Sequence, residues 1–264
     1  MKILLIGNTG FIGNRLYGSL KEDFDVTGIN SKVLDITNKD LLKDFLQENL
    51  YDLIILSAAS KDVEKLEQEP EYAYKINTQP VETLVENTRS RIIFISTDYV
   101  FEGTKGYYKD SDKTSPATVY GKTKQQAEEI LLNSKNPSSI IRTSAVIGKG
   151  SLFFDWLLKS LKEESTLEMF EDSYFTPTSV KFLCEIIKQV IQDNNAPKII
   201  HACGEKRLSR FELAKVIREQ INSDCKIIPV KNKYKDYSLV QSEYVQNLQK
   251  KSFEQYLKEE LNDV

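Results

Sequence analysis

The chain has 264 residues, 36 Lys and Arg against 39 Asp and Glu, a formal net charge of −3, and 40% hydrophobic and 28% charged residues. That is the composition of a globular protein, not of a disordered or collagen-like one, and without a basic excess no nucleic-acid partner is expected. One histidine, His201, and three widely spaced cysteines, Cys184, Cys203 and Cys225, exclude a His-rich metal centre, a zinc ribbon and a disulfide framework.

No metal is therefore expected, and the thiols read as buried and inert in a reducing compartment. The short apolar run after Met1-Lys2 is too brief for a signal peptide or a membrane span. A cytoplasmic location with no membrane partner is expected.

Short apolar runs then alternate with helical periodicity. Residues 2–6 (KILLI) read as a buried strand, and 11–20 as a helix with Phe11, Ile12, Leu16 and Leu20 on one face. Strands follow at 24–29, 51–57, 91–96 and 138–142. Between them lie helices at 38–47, up to about residue 87, and from about 119 to 133. Strands that alternate with helices make a parallel sheet covered on both faces, and right-handed crossovers make it a doubly wound α/β, Rossmann-type fold. Beyond residue 150 the alternation loosens into helices at 152–164, 179–193, 209–221 and 253–261, with short strands at 198–202 and 226–230. The expected organisation is a dinucleotide-binding domain over 1–150 that carries the catalytic residues, and a smaller C-terminal substrate-binding lobe over 151–264.

Gly7-Asn8-Thr9-Gly10-Phe11-Ile12-Gly13 is GxxGxxG between the first strand and the first helix. Glycines there allow a tight turn and close approach of a pyrophosphate, whose charge the helix N-terminus stabilises. Many NAD binders end the second strand with an acidic residue on the adenosine ribose. Here the strand ends Ile29-Asn30-Ser31-Lys32. The uncharged Asn30 and Ser31 do not repel a 2′-phosphate and Lys32 attracts one, so NADPH is expected over NADH.

Tyr120-Gly121-Lys122-Thr123-Lys124 is YxxxK at the start of the helix from 119. Positions i and i+4 share a helix face, and an ammonium beside a phenol is expected to draw its pKa down from about 10 towards the working range. Thr97 closes the strand before it, at the end where open α/β sheets bind ligands, with its hydroxyl suited to the oxygen that Tyr120 protonates.

Seven segments, in order, carry a family resemblance: ILLIGNTGFIG (3–13), LDIT (34–37), LSAAS (56–60), EYAYKIN (71–77), STDYVFEGTKGYY (96–108), SPATVYGKTKQQAE (115–128) and IIRTSAVIG (140–148). In them the chain resembles the extended short-chain dehydrogenases/reductases of the NAD-dependent epimerase/dehydratase superfamily, and within these the dTDP-4-dehydrorhamnose reductases. DSYFTPT (172–178) is similar to a segment of the family's substrate lobe.

The resemblance implies reduction of the 4-keto group of a nucleotide-diphosphate sugar by NADPH or NADH. Thr97, Tyr120 and Lys124 would form the catalytic group, with Tyr120 protonating the nascent alkoxide; Tyr120 and Lys124 would also contact the cofactor, Lys124 at the nicotinamide ribose. Gly7, Gly10, Phe11, Ile12 and Gly13 would hold the pyrophosphate. Asn30, Asp35 and Ile36 would border the adenosine, and Ala58, Ala59 and Ser60 the route to the nicotinamide. Asp98, Tyr99, Arg142 and Phe175 would contact the sugar substrate.

Two departures bear on the substrate. Ala145 and Ile147 stand where the family has a tryptophan and a tyrosine, and its Arg-Pro pair near the C-terminus is absent, with Lys231, Lys233 and Lys235 in roughly that region. The superfamily also includes dehydratases, epimerases and non-catalytic dinucleotide-binding regulatory subunits. Asp98-Tyr99 after Thr97 lacks the glutamate that dehydratases carry there. A homodimer is compatible with the resemblance.

Overall fold

The computed structural model describes residues 1–263. In chain order the elements are β1 (Lys2–Ile6), α1 (Phe11–Leu20), β2 (Asp25–Ile29), α2 (Lys39–Glu48), β3 (Leu53–Leu56), α3 (Val63–Gln68), α4 (Pro70–Asn77), α5 (Gln79–Asn87), β4 (Arg91–Thr97), α6 (Val119–Asn133), β5 (Ser138–Thr143) and β6 (Val146–Ile147). There follow α7 (Leu152–Glu163), β7 (Thr166–Phe170), β8 (Ser173–Phe175), β9 (Thr178–Ser179), α8 (Val180–Gln192), β10 (Ile199–His201), β11 (Leu208–Ser209), α9 (Arg210–Gln220), β12 (Lys226–Val230), β13 (Lys235–Asp236), α10 (Glu243–Gln246) and α11 (Phe253–Asn262).

The chain divides into two compact units. The first comprises Met1–Phe101, Lys113–Arg142 and Val190–Ile200; the second comprises Glu102–Asp112, Thr143–Gln189 and the residues from His201 onward. Residues 190–200, beyond the expected boundary at 150, therefore group with the first unit, and residues 102–112 with the second.

The first unit is built on a six-stranded sheet in the order β10-β5-β4-β3-β1-β2, with β1–β2, β1–β3 and β3–β4 paired in parallel. β1, β3 and β4 read as unbroken apolar runs because both faces of the sheet are covered. On one face Leu4, Ile6, Ile54, Leu56, Ile92 and Phe94 pack with Leu42, Leu46, Val81, Leu84, Ala127 and Leu131 from α2, α5 and α6. Strand succession reverses between β1 and β3. In open α/β sheets, ligands bind beyond the C-terminal ends of the strands at such a reversal. Gly7 and Ser57 follow directly on those two ends.

The polar stretch before residue 87, which periodicity renders as one helix, is three. Asp62 caps α3, its side chain accepting from the Lys65 N–H at 3.1 Å, and prolines sit in the first turns of α4 and α5. Proline lacks the N–H that a continuing helix would need, so each marks a new start. The strand expected at 198–202 is an edge of the main sheet, anchored by the Ile140 N–H on the Lys198 carbonyl at 2.7 Å.

The second unit has its own core, with Phe154, Leu157, Leu161, Leu167, Phe175, Leu213, Ile217, Phe253 and Leu257 packed together. Its strands form short sheets, β11-β8-β13, β12-β7 and β6-β9. Ser209 and Ser252 open α9 and α11 through capping boxes with Glu212 and Gln255, which satisfy N–H groups that the helix cannot. Arg207 ties β13 to β8: it pairs with buried Asp236 at 2.7 Å and lies 3.5 Å from the centre of the Tyr174 ring.

Leu4 is fully buried in the middle of β1. Leu4→Ala is expected to lower unfolding free energy by about 2–5 kcal/mol, measured by denaturant titration, with the slope of the titration unchanged.

Candidate active site

The turn after β1 is tight. The Gly7 and Asn8 N–H groups both donate to the Ile29 carbonyl, at 2.8 and 3.2 Å, and Gly10 N–H returns to the Gly7 carbonyl at 3.1 Å. α1 begins at Phe11 with Gly10 as its N-cap and no side chain capping it, so its first N–H groups face outward for an anion. A Cβ built on Gly13 would fall 2.0 Å from the Gly7 carbonyl oxygen. Only glycine lets the helix sit this close to the turn. The buried Asn8 Oδ1 beside the turn has no hydrogen-bond partner, an acceptor left for a ligand donor. A helix start open to an anion, a cradle that a Cβ would fill and an unused acceptor together fit a dinucleotide pyrophosphate and its ribose.

The residues expected around the rest of the dinucleotide flank this turn. Asn30 Oδ1 accepts from the Lys32 N–H at 2.9 Å, fixing the loop after β2. Asp35 is exposed and takes both the N–H and the hydroxyl of Thr37, at 2.9 and 2.7 Å, while Ile36 beside it is buried. Ala58 N–H donates to the Ile6 carbonyl at 3.0 Å, which holds the Ala58–Ser60 segment next to the glycine turn. Ser60 is bracketed by Asn77: its N–H donates to Asn77 Oδ1 and its carbonyl accepts from Asn77 Nδ2, both at 3.0 Å. Asn77 Nδ2 also reaches the Thr123 hydroxyl at 3.3 Å. Asn77 thus links the Ser60 loop to α6. Sequence reasoning assigned it no role, although EYAYKIN ends on it.

α6 starts at an N-cap whose Thr118 hydroxyl accepts from the Gly121 N–H at 3.0 Å. A Cβ on Gly121 would lie 2.1 Å from the Tyr99 carbonyl oxygen, so glycine there brings the first turn of the helix against the turn after β4. The result is that Tyr120 shares a hydrogen bond with Thr97 and packs edge-on against the Tyr99 ring, 5.7 Å between centroids. Thr97 is further fixed by accepting from the Tyr99 N–H at 3.2 Å and by its hydroxyl on Asp98 Oδ1 at 3.1 Å. The structure therefore brings Thr97, Asp98, Tyr99 and Tyr120 together.

Lys124 is 2% exposed. Its Nζ donates to the Ile95 carbonyl at 2.7 Å and lies 3.8 Å from the centre of the Phe94 ring. Burial lowers its pKa from 10.5 to about 7, with Glu128 acting in the opposite direction. The sequence expectation was that this ammonium draws the Tyr120 phenol down. Instead burial pushes the phenol above its ordinary value of 10.0, with Asp98 and Tyr99 adding to the rise and the Thr97 hydrogen bond opposing it. Desolvation disfavours both charged forms at once.

Arg142 was expected at the sugar end. Its guanidinium is 3% exposed and donates to Glu128 through Nε and Nη2, the latter at 2.7 Å, and it lies over the Phe101 ring at 5.2 Å. The ion pair holds this side chain. Phe175 belongs to the second unit, where β8 places it in the core at 5% exposure. The other expected site residues belong to the first unit.

The Lys124 shift is also a statement about stability. Between pH 7 and 10.5 the unfolded chain carries a proton on this lysine that the folded chain lacks, so stability falls as pH drops through that window, and the full penalty is present below 7. Lys124→Met removes the penalty. Thermal melts of the cofactor-free protein are expected to show the variant more stable than the parent at pH 7, with a smaller difference at pH 10. A gain that is no larger at pH 7 would contradict the buried, weakly basic lysine. Gly13→Val, by contrast, is expected to weaken NADPH binding at least about tenfold, because the glycine turn must open to admit the side chain, as measured by fluorescence titration.

The family model described as the RmlD substrate binding domain matches residues 1–260. The spore coat polysaccharide biosynthesis protein SpsK of Bacillus subtilis is 32% identical over 236 residues, covering 87% of this chain and 82% of that protein. The dTDP-4-dehydrorhamnose reductase of Salmonella typhimurium is 35% identical over 206 residues, 73% of this chain and 67% of that one. In three dimensions, the dTDP-4-dehydrorhamnose reductase of Bacillus anthracis in complex with NADP superposes with a TM-score of 0.92 at 26% identity, over 100% of this chain and 99% of that one. A glycine turn at β1, a Thr97–Tyr120 contact and a match over nearly the whole length agree with one another, and the chain belongs to the RmlD substrate binding domain family.

Proposed function

We propose that the protein is an NADPH-dependent reductase of the dTDP-4-dehydrorhamnose reductase type, acting on the 4-keto group of a nucleotide-diphosphate deoxysugar. The observation that carries this reading is the hydroxyl pair of Thr97 and Tyr120 on one side of α6, with Lys124 one turn on. When bound, NADPH supplies the hydride for the sugar's C4.

Gly7, Gly10, Phe11, Ile12 and Gly13 hold its pyrophosphate, Asn30, Asp35 and Ile36 its adenosine end, and Ala58, Ala59 and Ser60 line the approach to the nicotinamide. Lys124 binds the nicotinamide ribose, replacing the Ile95 carbonyl as its partner. The uncharged β2 end, Asn30 and Ser31, leaves room for a 2′-phosphate, with Lys32 exposed beside it. NADH, which lacks that phosphate, is the weaker alternative.

Tyr120 acts as the proton donor. As the carbonyl carbon accepts the hydride, its oxygen becomes an alkoxide far more basic than a phenolate, so proton transfer from Tyr120 Oη runs downhill. A phenol held above its ordinary pKa is fully protonated at neutral pH, which is the state a donor requires. Thr97 orients the acceptor oxygen by a second hydrogen bond. Asp98 and Tyr99 contact the sugar, and Arg142, expected beside them, pairs with Glu128. Asp98-Tyr99 after Thr97 lacks the glutamate with which a dehydratase would move a proton at the neighbouring carbon.

Oxidation of NADPH, followed by absorbance with a dTDP-4-keto-6-deoxy sugar generated in situ, tests this directly. Tyr120→Phe is expected to reduce kcat by about 10²–10⁴-fold while NADPH affinity changes less than about twofold. Loss of cofactor binding in that variant, or full activity, would overturn the role given to Tyr120. Absence of turnover by the parent chain would overturn the reductase reading itself.

A further inference from the structure

A buried ionic cluster in the first unit lies one turn beyond Lys124. Glu128 is 2% exposed on α6. It accepts from the Ser96 hydroxyl at 2.5 Å, and from Arg142 Nε at 3.1 and 3.2 Å and Nη2 at 2.7 Å. Ser96 immediately precedes Thr97 on β4, and Arg142 stands near the end of β5. One carboxylate therefore ties the helix that bears Tyr120 and Lys124 to the strand that bears Thr97, and to the next strand across. Such pairs do little for stability, since apolar residues of similar volume often serve as well. What a bidentate pair does supply is geometry, because a planar guanidinium and a carboxylate lock in one orientation.

We propose that Glu128 is a positioning residue of the reductase, fixing the height of α6 against β4, and with it the Thr97–Tyr120 contact, while keeping a negative charge one turn from Lys124. The consequence for rate rests on the reductase reading above; the consequence for Lys124 does not. The charged and titratable groups around the Tyr120–Lys124 pair are Asp98 and Tyr99 from the turn after β4 and Glu128 from α6, itself paired with Arg142 from β5. Asp98 and Tyr99 act on Tyr120, and Glu128 acts on Lys124, sustaining its positive charge against burial.

The test uses the full chain and the double variant Glu128→Gln, Arg142→Met, which removes both charges and leaves no unpaired ion in the core. Ser96→Ala, which keeps the ion pair and the charge beside Lys124, is measured alongside: it is expected to lower kcat with the NADPH profile unmoved, and parental kcat in it overturns the positioning role if the double variant does not fold. The expected result is a cooperative melt, a fall in kcat of about ten- to a hundredfold, and a KM for the sugar within about threefold of the parent. NADPH affinity, titrated by fluorescence from pH 5 to 9, is expected to lose its Lys124-dependent strength at a lower pH than in the parent. Comparison with the parent cancels the titration of the cofactor's own 2′-phosphate.

A folded variant with parental kcat and an unmoved NADPH profile overturns the proposal. So does a loss of kcat accompanied by a comparable rise in KM with the profile unmoved, which is the mark of general loosening. The NADPH profile is read without any sugar. If the parent chain fails to turn over the dTDP sugar, the reductase reading falls, and the profile still decides whether Glu128 supports Lys124.

Discussion

The site depends on one costly constraint: two cations, Lys124 and Arg142, and one carboxylate, Glu128, lie almost wholly out of water beneath the C-terminal ends of β4 and β5. A charge moved from water into a protein interior loses several kcal/mol of hydration that only close partners restore. Arg142 and Glu128 restore it for each other with three hydrogen bonds of 2.7–3.2 Å. Lys124 has a carbonyl and an aromatic face instead, a setting that would suit the proposed exchange of its partner for a cofactor. The fully paired cation is the one held by an opposite charge, and the partly compensated cation is not.

The sheet supplies what this arrangement needs. β4 places Ser96 and Thr97 next to one another at its end, and both meet α6. Ser96 turns to Glu128 while Thr97 turns to Tyr120. A single strand end thus joins the buried ionic cluster to the Thr97 and Tyr120 hydroxyls. α6 answers with its own spacing, Tyr120, Lys124 and Glu128 at successive turns, and Gly121 allows the helix to start in contact with the Tyr99 carbonyl. A shift of α6 by even a fraction of a turn would separate Thr97 from Tyr120 and strain the Glu128 pair together.

Much of this was legible in the sequence wherever the signal was local. The helices at 11–20 and 119–133 and the strands at 2–6 and 226–230 lie where periodicity places them, because their apolar spacing and flanking turns point to the same limits. The prolines at 70 and 80 also carried a local signal, two helix starts, which apolar periodicity alone smooths over. The two-residue strands β6, β9, β11 and β13 were not legible. Two residues define no period, and their partners lie far away in the chain, as Val146 does from Thr178. The edge strand β10 reads as a strand, but nothing local shows that it joins a sheet begun at residue 2.

The candidate site divides along the same line. GxxGxxG and YxxxK are visible because a backbone turn and a helix face are each set by neighbours in sequence. The Glu128–Arg142 pair was not legible for the opposite reason: its members stand on different elements, and only the fold brings them to 2.7 Å. The protonation states were likewise out of reach, because YxxxK spacing implies an ammonium beside a phenol but says nothing about desolvation. With Lys124 buried and Tyr120 half-buried, desolvation raises the phenol and lowers the amine, so each moves towards its neutral form. With Tyr120 in its proposed role, that is a coherent resting state, the tyrosine holding the proton it would give. Binding of an anionic dinucleotide would then favour the charged lysine, so that cofactor binding and protonation of Lys124 are linked through the same buried charge cluster.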